Sequence, residues 1–125
     1  MENRYLFRGK RKDNGEWIQG YLYGIWERRY ILWGMTNDIP NIVEVDPETV
    51  CQCTAMPDKN KKLVFEHDIV WDSDERAFYE IIWNQEDMCW NVEDADGHKS
   101  EFEECYGSTI EVNGNRFDNP ELLEV

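Results

Sequence analysis

The sequence predicts a mainly β protein, a small antiparallel barrel or sandwich. An N-terminal β-hairpin lobe is expected over residues 1–45 and a barrel-like body over 46–125, together one domain. Three observations carry this. Turn signals recur about every 8–12 residues, the spacing of all-β sandwiches and barrels. Between them lie short runs rich in Val, Ile, Tyr, Trp and Phe, which suit a pleated, half-buried surface. Helix-start signals are confined to two single turns, Asp46-Pro47-Glu48 and Asn119-Pro120-Glu121. A chain of 125 residues with 41% hydrophobic and 14% aromatic content buries a core without staples. It shows no internal repeat, heptad or low-complexity tract.

Tyr5-Leu6-Phe7 opens as a strand, and Asp13-Asn14-Gly15 marks a turn. From Trp17 to Tyr23 apolar residues fall on both faces, so this strand is expected to be covered on both sides. It pairs with the first as a hairpin. Arg28–Trp33 is the next strand, Gly34–Pro40 a polar connection, and Asn41–Val45 a strand leading into Asp46. Asp46 caps a single helical turn with Pro47 at its first position. Cys51–Thr54 alternates as a strand, and Asp58-Lys59-Asn60 turns because Asp and Asn bond to their own backbone. Glu66-His67-Asp68 separates Leu63–Phe65 from a strand starting at Ile69. Ala77–Trp83, Met88–Glu93, a charged edge strand His98–Glu103 and Ile110–Val112 follow, with turns at 72–76, 85–87, 94–97 and Asn113-Gly114. The five short strands between Leu63 and Val112 suggest an SH3-like element in the C-terminal half. Asn119-Pro120-Glu121 repeats the capping pattern, so that Leu122, Leu123 and Val125 dock on the body.

Four stretches in fixed order resemble the YopX family of phage and prophage proteins. They are Pro47-Glu48-Thr49-Val50, Asp58-Lys59-Asn60, Asp68-Ile69-Val70 and Asn119-Pro120-Glu121-Leu122-Leu123, the last opened by Phe117-Asp118. The resemblance implies the cytoplasm of a bacterial host cell. It carries over no activity and no functional residue. Family members usually have Gly where this chain has Cys51, Ala55, Lys61 and His67, and an aromatic residue at Cys53. Lys61 and His67 are therefore expected either to adopt left-handed backbone at a cost or to sit in altered turns.

Charge narrows the function classes. Net charge is −14, with seven basic against four acidic residues in 1–29 and six against twenty-three in 30–125. An acidic body repels phosphate backbones, so no direct nucleic-acid binding is expected. No apolar run approaches the roughly 20 residues of a membrane span, and Met1-Glu2-Asn3-Arg4 shows no leader.

No catalytic constellation emerges. Cys51 and Cys53 are separated by one residue, Cys89 and Cys105 stand alone, and neither arrangement has zinc-ribbon spacing. These thiols are expected to be small buried residues of a reducing compartment. The Asp72–Glu75 and Asp94–Gly97 loops lack the EF-hand continuation. Acidic residues are so numerous that no pair can be singled out as acid and base. No metal or cofactor is assigned. The candidate interface consists of the basic run Arg8, Lys10, Arg11 and Lys12 together with Trp26, which falls in a turn. Trp and Arg dominate binding hot spots, whereas about four positive charges on one loop bind weakly and salt-sensitively. The other Trp residues are expected in the core. The expected role is a non-enzymatic accessory module that binds a protein partner or a second copy of itself. A metal-dependent enzyme with a carboxylate-lined cleft and an acidic DNA mimic are the alternatives.

Overall fold

Every strand expected between Trp17 and Val112 is present in the computed structural model, which describes residues 3–124, the side chains at 104 and 105 excepted. Met1, Glu2, Val125 and the Cys105 side chain therefore lie outside the described residues. The strands form antiparallel sheets, and helical structure among the described residues is limited to 3-10 turns. The chain divides into two compact units, one ending at Cys53 and one starting at Thr54. The division falls eight residues past the boundary suggested by the capped turn.

The first unit contains β1 (Phe7–Lys10), β2 (Trp17–Ile25), β3 (Arg28–Thr36), β4 (Ile39–Val45) and the start of β5 (Cys51–Pro57), in the order β4-β3-β2-β1-β5. Tyr5 belongs to a 3-10 turn, Asn3–Tyr5, so the first strand begins two residues later than the apolar run suggested. The expected connection Gly34–Pro40 is shorter in fact. β3 runs on to Thr36, and Asn37 and Asp38 turn the chain with φ of 52° and 65°. Asn and Asp tolerate that region because their short side chains bond locally. A single bridge between Arg11 and Val45, with Lys12 N–H donating to Glu44 O at 3.1 Å, brings the end of β1 to β4 without closing a barrel. Ile31 and Val45 are fully buried here. Gly20 is required, because a Cβ there would collide with the Leu32 carbonyl and Ile31.

The 3-10 turn Pro47–Thr49 forms as its sequence dictates. The Asp46 side chain accepts from Glu48 N–H at 3.0 Å, and Thr49 Oγ1 accepts from Lys10 N–H at 2.8 Å. Cys51 and Cys53 follow on β5, both buried, while Cys89 is half-buried.

The second unit holds β6 (Leu63–Phe65), β7 (Asp68–Asp72), β8 (Ala77–Asn84), β9 (Cys89–Glu93), β10 (Lys99–Glu101) and β11 (Ile110–Asn115). Its sheet has the order β10-β9-β8-β7-β11, and β6 lies beside the far half of β5. β1 sits between β2 and β5 as β7 sits between β8 and β11, and a 3-10 turn precedes the last strand of each five: Pro47–Thr49 before β5, Glu104–Ser108 before β11. The same five-strand order thus occurs twice, a repeat of topology with no repeat of sequence, and the sheets are sandwich-like without a closed barrel.

The core of the second unit is aliphatic: Val64, Val70, Ile81, Val92 and Ile110, with Phe102. Ile81 faces Val92 and Val70 faces Val112 across the ladders, so one face of the sheet carries this cluster. Asn113-Gly114 is not a turn but a bulge inside β11, which still pairs with β7 beyond it. None of the six Trp is fully buried, contrary to the expectation that most form the core. β-branched residues line these narrow interiors, and the indoles sit at their margins.

Candidate functional site

The first unit presents an apolar surface on one side of β2, β3 and β4. Tyr21 faces Leu32, Tyr23 faces Tyr30, Leu32 faces Ile42 and Met35 faces Pro40. Opposed residues share a face, so Tyr21, Tyr23, Ile25, Tyr30, Leu32, Met35 and Ile42 point the same way. A bulge between Trp33 and Met35, built on Gly34 at φ 57°, keeps Met35 on this side. Tyr30 and Leu32 are half-buried and the other five are exposed. The expectation that β2 is covered on both sides therefore fails. Gly20 and Leu22 point inward, and nothing described covers Tyr21 and Tyr23. The charged members of the face are Arg28 and Glu44. The Arg28 guanidinium is held above its ordinary pKa by a hydrogen bond with Tyr30 and then by the Glu44 carboxylate.

Trp26 closes the β2–β3 hairpin at φ 50° and is 89% exposed. Left-handed backbone is a genuine outlier for so bulky a residue. Arg29 Nη1 holds the tip, donating to Trp26 O at 2.6 Å and Arg28 O at 2.9 Å.

The basic run is occupied within the unit. Arg8 and Lys10 both stack on Trp17, 4.8 and 5.5 Å from its centroid. Arg11 makes a two-pronged contact with Asp13 at 3.0 and 2.8 Å, and Lys12 pairs with Glu44 at 3.2 Å. Of the candidate interface residues only Trp26 stands clear. Sequence reasoning missed the sheet face around it, because the signal lay in the strand register, which periodicity alone does not supply.

Two polar clusters belong to the second unit. His67 Nδ1 lies 2.7 Å from Glu80 Oε2, Arg116 Nη1 lies 3.3 Å from the same oxygen, and Phe117 meets the imidazole edge-on at 5.7 Å. The second is the β9–β10 turn. Asp94 Oδ1 accepts the N–H groups of Asp96 and His98, each at 2.9 Å, and Oδ2 lies 3.2 Å from His98 Nδ1. These bonds, the His98 N–H first, hold the Asp94 carboxyl below its ordinary pKa. Asp94, Asp96 and His98 bring one ligand atom each within 4.8 Å of one another, although the bonds within the turn already account for the geometry. Beside this turn lies a cavity of about 470 Å³, walled by Trp71, Phe78, Leu122 and Leu123 and rimmed by Arg76, Asp94, Asp96 and Glu124. The terminal 3-10 turn Pro120–Leu123 supplies one wall. Asn119 does not cap that turn as its sequence suggested. Its side-chain oxygen instead accepts from Asn115 N–H at 3.3 Å.

A family model described as YopX protein matches residues 6–124. The chain belongs to the YopX protein family. Among curated proteins no relative matches it. In the second unit, residues in or beside the stretches that carry the YopX pattern make bonds beyond their own turns. Asp58 takes Asn60 N–H at 2.8 Å and Lys62 N–H at 2.9 Å on one oxygen, and Val112 N–H at 3.0 Å on the other. Arg116 N–H donates to His67 O at 3.0 Å, tying the closing motif to the turn before β7. At three of the four positions where the resemblance implies Gly, this chain is left-handed without it: Ala55 at φ 66°, Lys61 at 66° and His67 at 68°. These non-Gly residues bear the cost of left-handed backbone. No helix among the described residues is long and apolar enough to cross a membrane.

Proposed function

We propose that this YopX protein is a non-enzymatic protein–protein binding module of a phage or prophage, acting in the host cytoplasm. Its binding surface is the apolar face of β2, β3 and β4 with Trp26 as anchor, and its partner is a second copy of the chain.

The observation that carries the reading is Trp26. A large aromatic residue that is 89% exposed at φ 50° contributes no burial and imposes backbone strain. Such a residue is retained for something outside its own fold. It directly follows Ile25, which shares its face of β2 with Tyr23 and Tyr21.

Charge supports self-association. The unit ending at Cys53 holds seven basic and eight acidic residues, whereas the rest holds six and nineteen. Two copies meeting through the second unit would repel, while a face whose charged members are one Arg and one Glu does not. An isologous contact is the commonest closed arrangement.

Light scattering coupled to size exclusion, across protein and salt concentration, tests this. The expected result is a monomer–dimer equilibrium that persists at high salt, because the contact is apolar and added salt screens the acid–acid repulsion. Trp26→Ala and Tyr23→Ser each shift it to monomer. A dimer lost with salt would instead implicate the basic run. A monomer at every concentration refutes self-association and leaves this face for a different protein.

A further inference from the structure

We propose that the cavity bounded by β7, β8, the Asp94 turn and the terminal 3-10 turn takes the cationic side chain of a basic peptide segment. This site is separate from the apolar face and does not depend on it. The cavity, about 470 Å³, lies within the 300–1,000 Å³ of ordinary ligand sites. Its walls suit an aliphatic stem capped by a cation. Trp71 and Phe78 form an edge-to-face pair with centroids 4.8 Å apart, opposite Leu122 and Leu123. Aromatic faces attract guanidinium and ammonium groups, and long cationic side chains bury their stems on apolar surface.

The rim sets the sign of the charge. Asp94, Asp96 and Glu124 stand against a single Arg76. Asp94 is kept ionised by the N–H groups of its own turn. Among the described residues the Asp96, Glu124 and Arg76 side chains hold no hydrogen bond or ion pair. Two carboxylates are thus available to a cation, and the Arg76 guanidinium on the same rim opposes it by like charge. The surrounding unit, with six basic and nineteen acidic residues, draws basic segments toward this rim.

The test is a titration of the ¹⁵N-labelled full chain with Ac-Gly-Arg-Gly-NH2, followed by amide and indole shifts at near-physiological salt. Ac-Gly-Leu-Gly-NH2 and Ac-Gly-Glu-Gly-NH2 are the comparison probes. The Arg peptide is expected to give saturable shifts at Trp71, Ala77, Ala95 and Leu123. The double variant Asp96→Asn, Glu124→Gln should weaken it about fivefold, the combined loss of two rim charge contacts. Arg76→Gln should tighten it. Equal binding of the Leu peptide, tighter binding of the Glu peptide, or shifts spread over the acidic surface and unchanged in the double variant would each overturn the proposal. Should the double variant lose its dispersed spectrum, Arg76→Gln alone decides: tightening supports the assignment and loss of binding refutes it.

Discussion

Ala55 and Lys61 offer a direct test of the backbone argument. Both are exposed and both have φ of 66°. An L-residue in the left-handed region costs roughly 1–2 kcal/mol through contact of its Cβ with the carbonyl oxygen. Glycine removes that cost but loses about 0.5–1 kcal/mol of extra chain entropy on folding. The net gain is therefore about 0.5–1 kcal/mol at each site. Neither side chain is buried, so no packing term opposes it. The double variant Ala55→Gly, Lys61→Gly should gain about 1–2 kcal/mol, or roughly 4–8 °C in Tm for a chain of this size. Urea unfolding followed by circular dichroism measures it, as a raised midpoint with an unchanged slope. If the two units melt separately, the gain should appear in the transition of the second. Removing Lys61 also removes a positive charge from an acidic chain, so Lys61→Ala is the control. It makes the same charge change while keeping the strained Cβ. Glu86→Gly, at a turn position that is not itself left-handed, should lose stability. Equal midpoints for Lys61→Gly and Lys61→Ala, together with a lowered midpoint for Ala55→Gly, would refute the strain argument.

Three further outcomes follow from particular residues. Asp58→Ala strips the acceptors from Asn60, Lys62 and Val112 N–H groups and should cost roughly 2–4 kcal/mol by urea unfolding, with Asp58→Asn intermediate. Trp26→Gly relieves φ 50° and should raise Tm slightly while abolishing dimerisation in light scattering, so that stability and assembly move in opposite directions. Asp94 has a folded pKa below its ordinary 3.8, so its contribution is complete above that value and is lost as pH falls through the lower, folded value. A carbon-detected NMR titration should place its midpoint under 3.8, and a midpoint above it would show that the turn bonds do not favour the charged form.

Local chemistry was legible from the chain alone. Asp46-Pro47 specified a capped single turn, Asp58-Lys59-Asn60 a side-chain-bonded one, and alternating β-branched runs specified strands to within a few residues. The YopX pattern was equally visible, because most of it lies in turns, at Pro47–Thr49, Asp58–Asn60 and Pro120–Leu123, with Asp68–Val70 opening β7. The terminal turn shows where this reading stops. Asn119-Pro120 carries the same signal as Asp46-Pro47, yet the Asn119 side chain reaches Asn115 instead of its own turn, because a neighbouring strand offered a competing donor. Long-range outcomes were decided by tertiary structure. Periodicity could not say which side of β2 is covered, since both faces carry large aromatic or aliphatic residues, Tyr21 and Tyr23 on one and Ile18 and Leu22 on the other. The register with β3, and Gly20 against the Leu32 carbonyl, settle it. The basic run looked available, but the fold placed Trp17, Asp13 and Glu44 beside it. The cavity joins Trp71, Asp94 and Leu123, which are distant in sequence, and the repeated five-strand plan leaves no trace in composition. Turn chemistry acts over a few bonds and is written in neighbouring residues. Strand pairing and burial depend on which segments meet, and only the folded chain determines that.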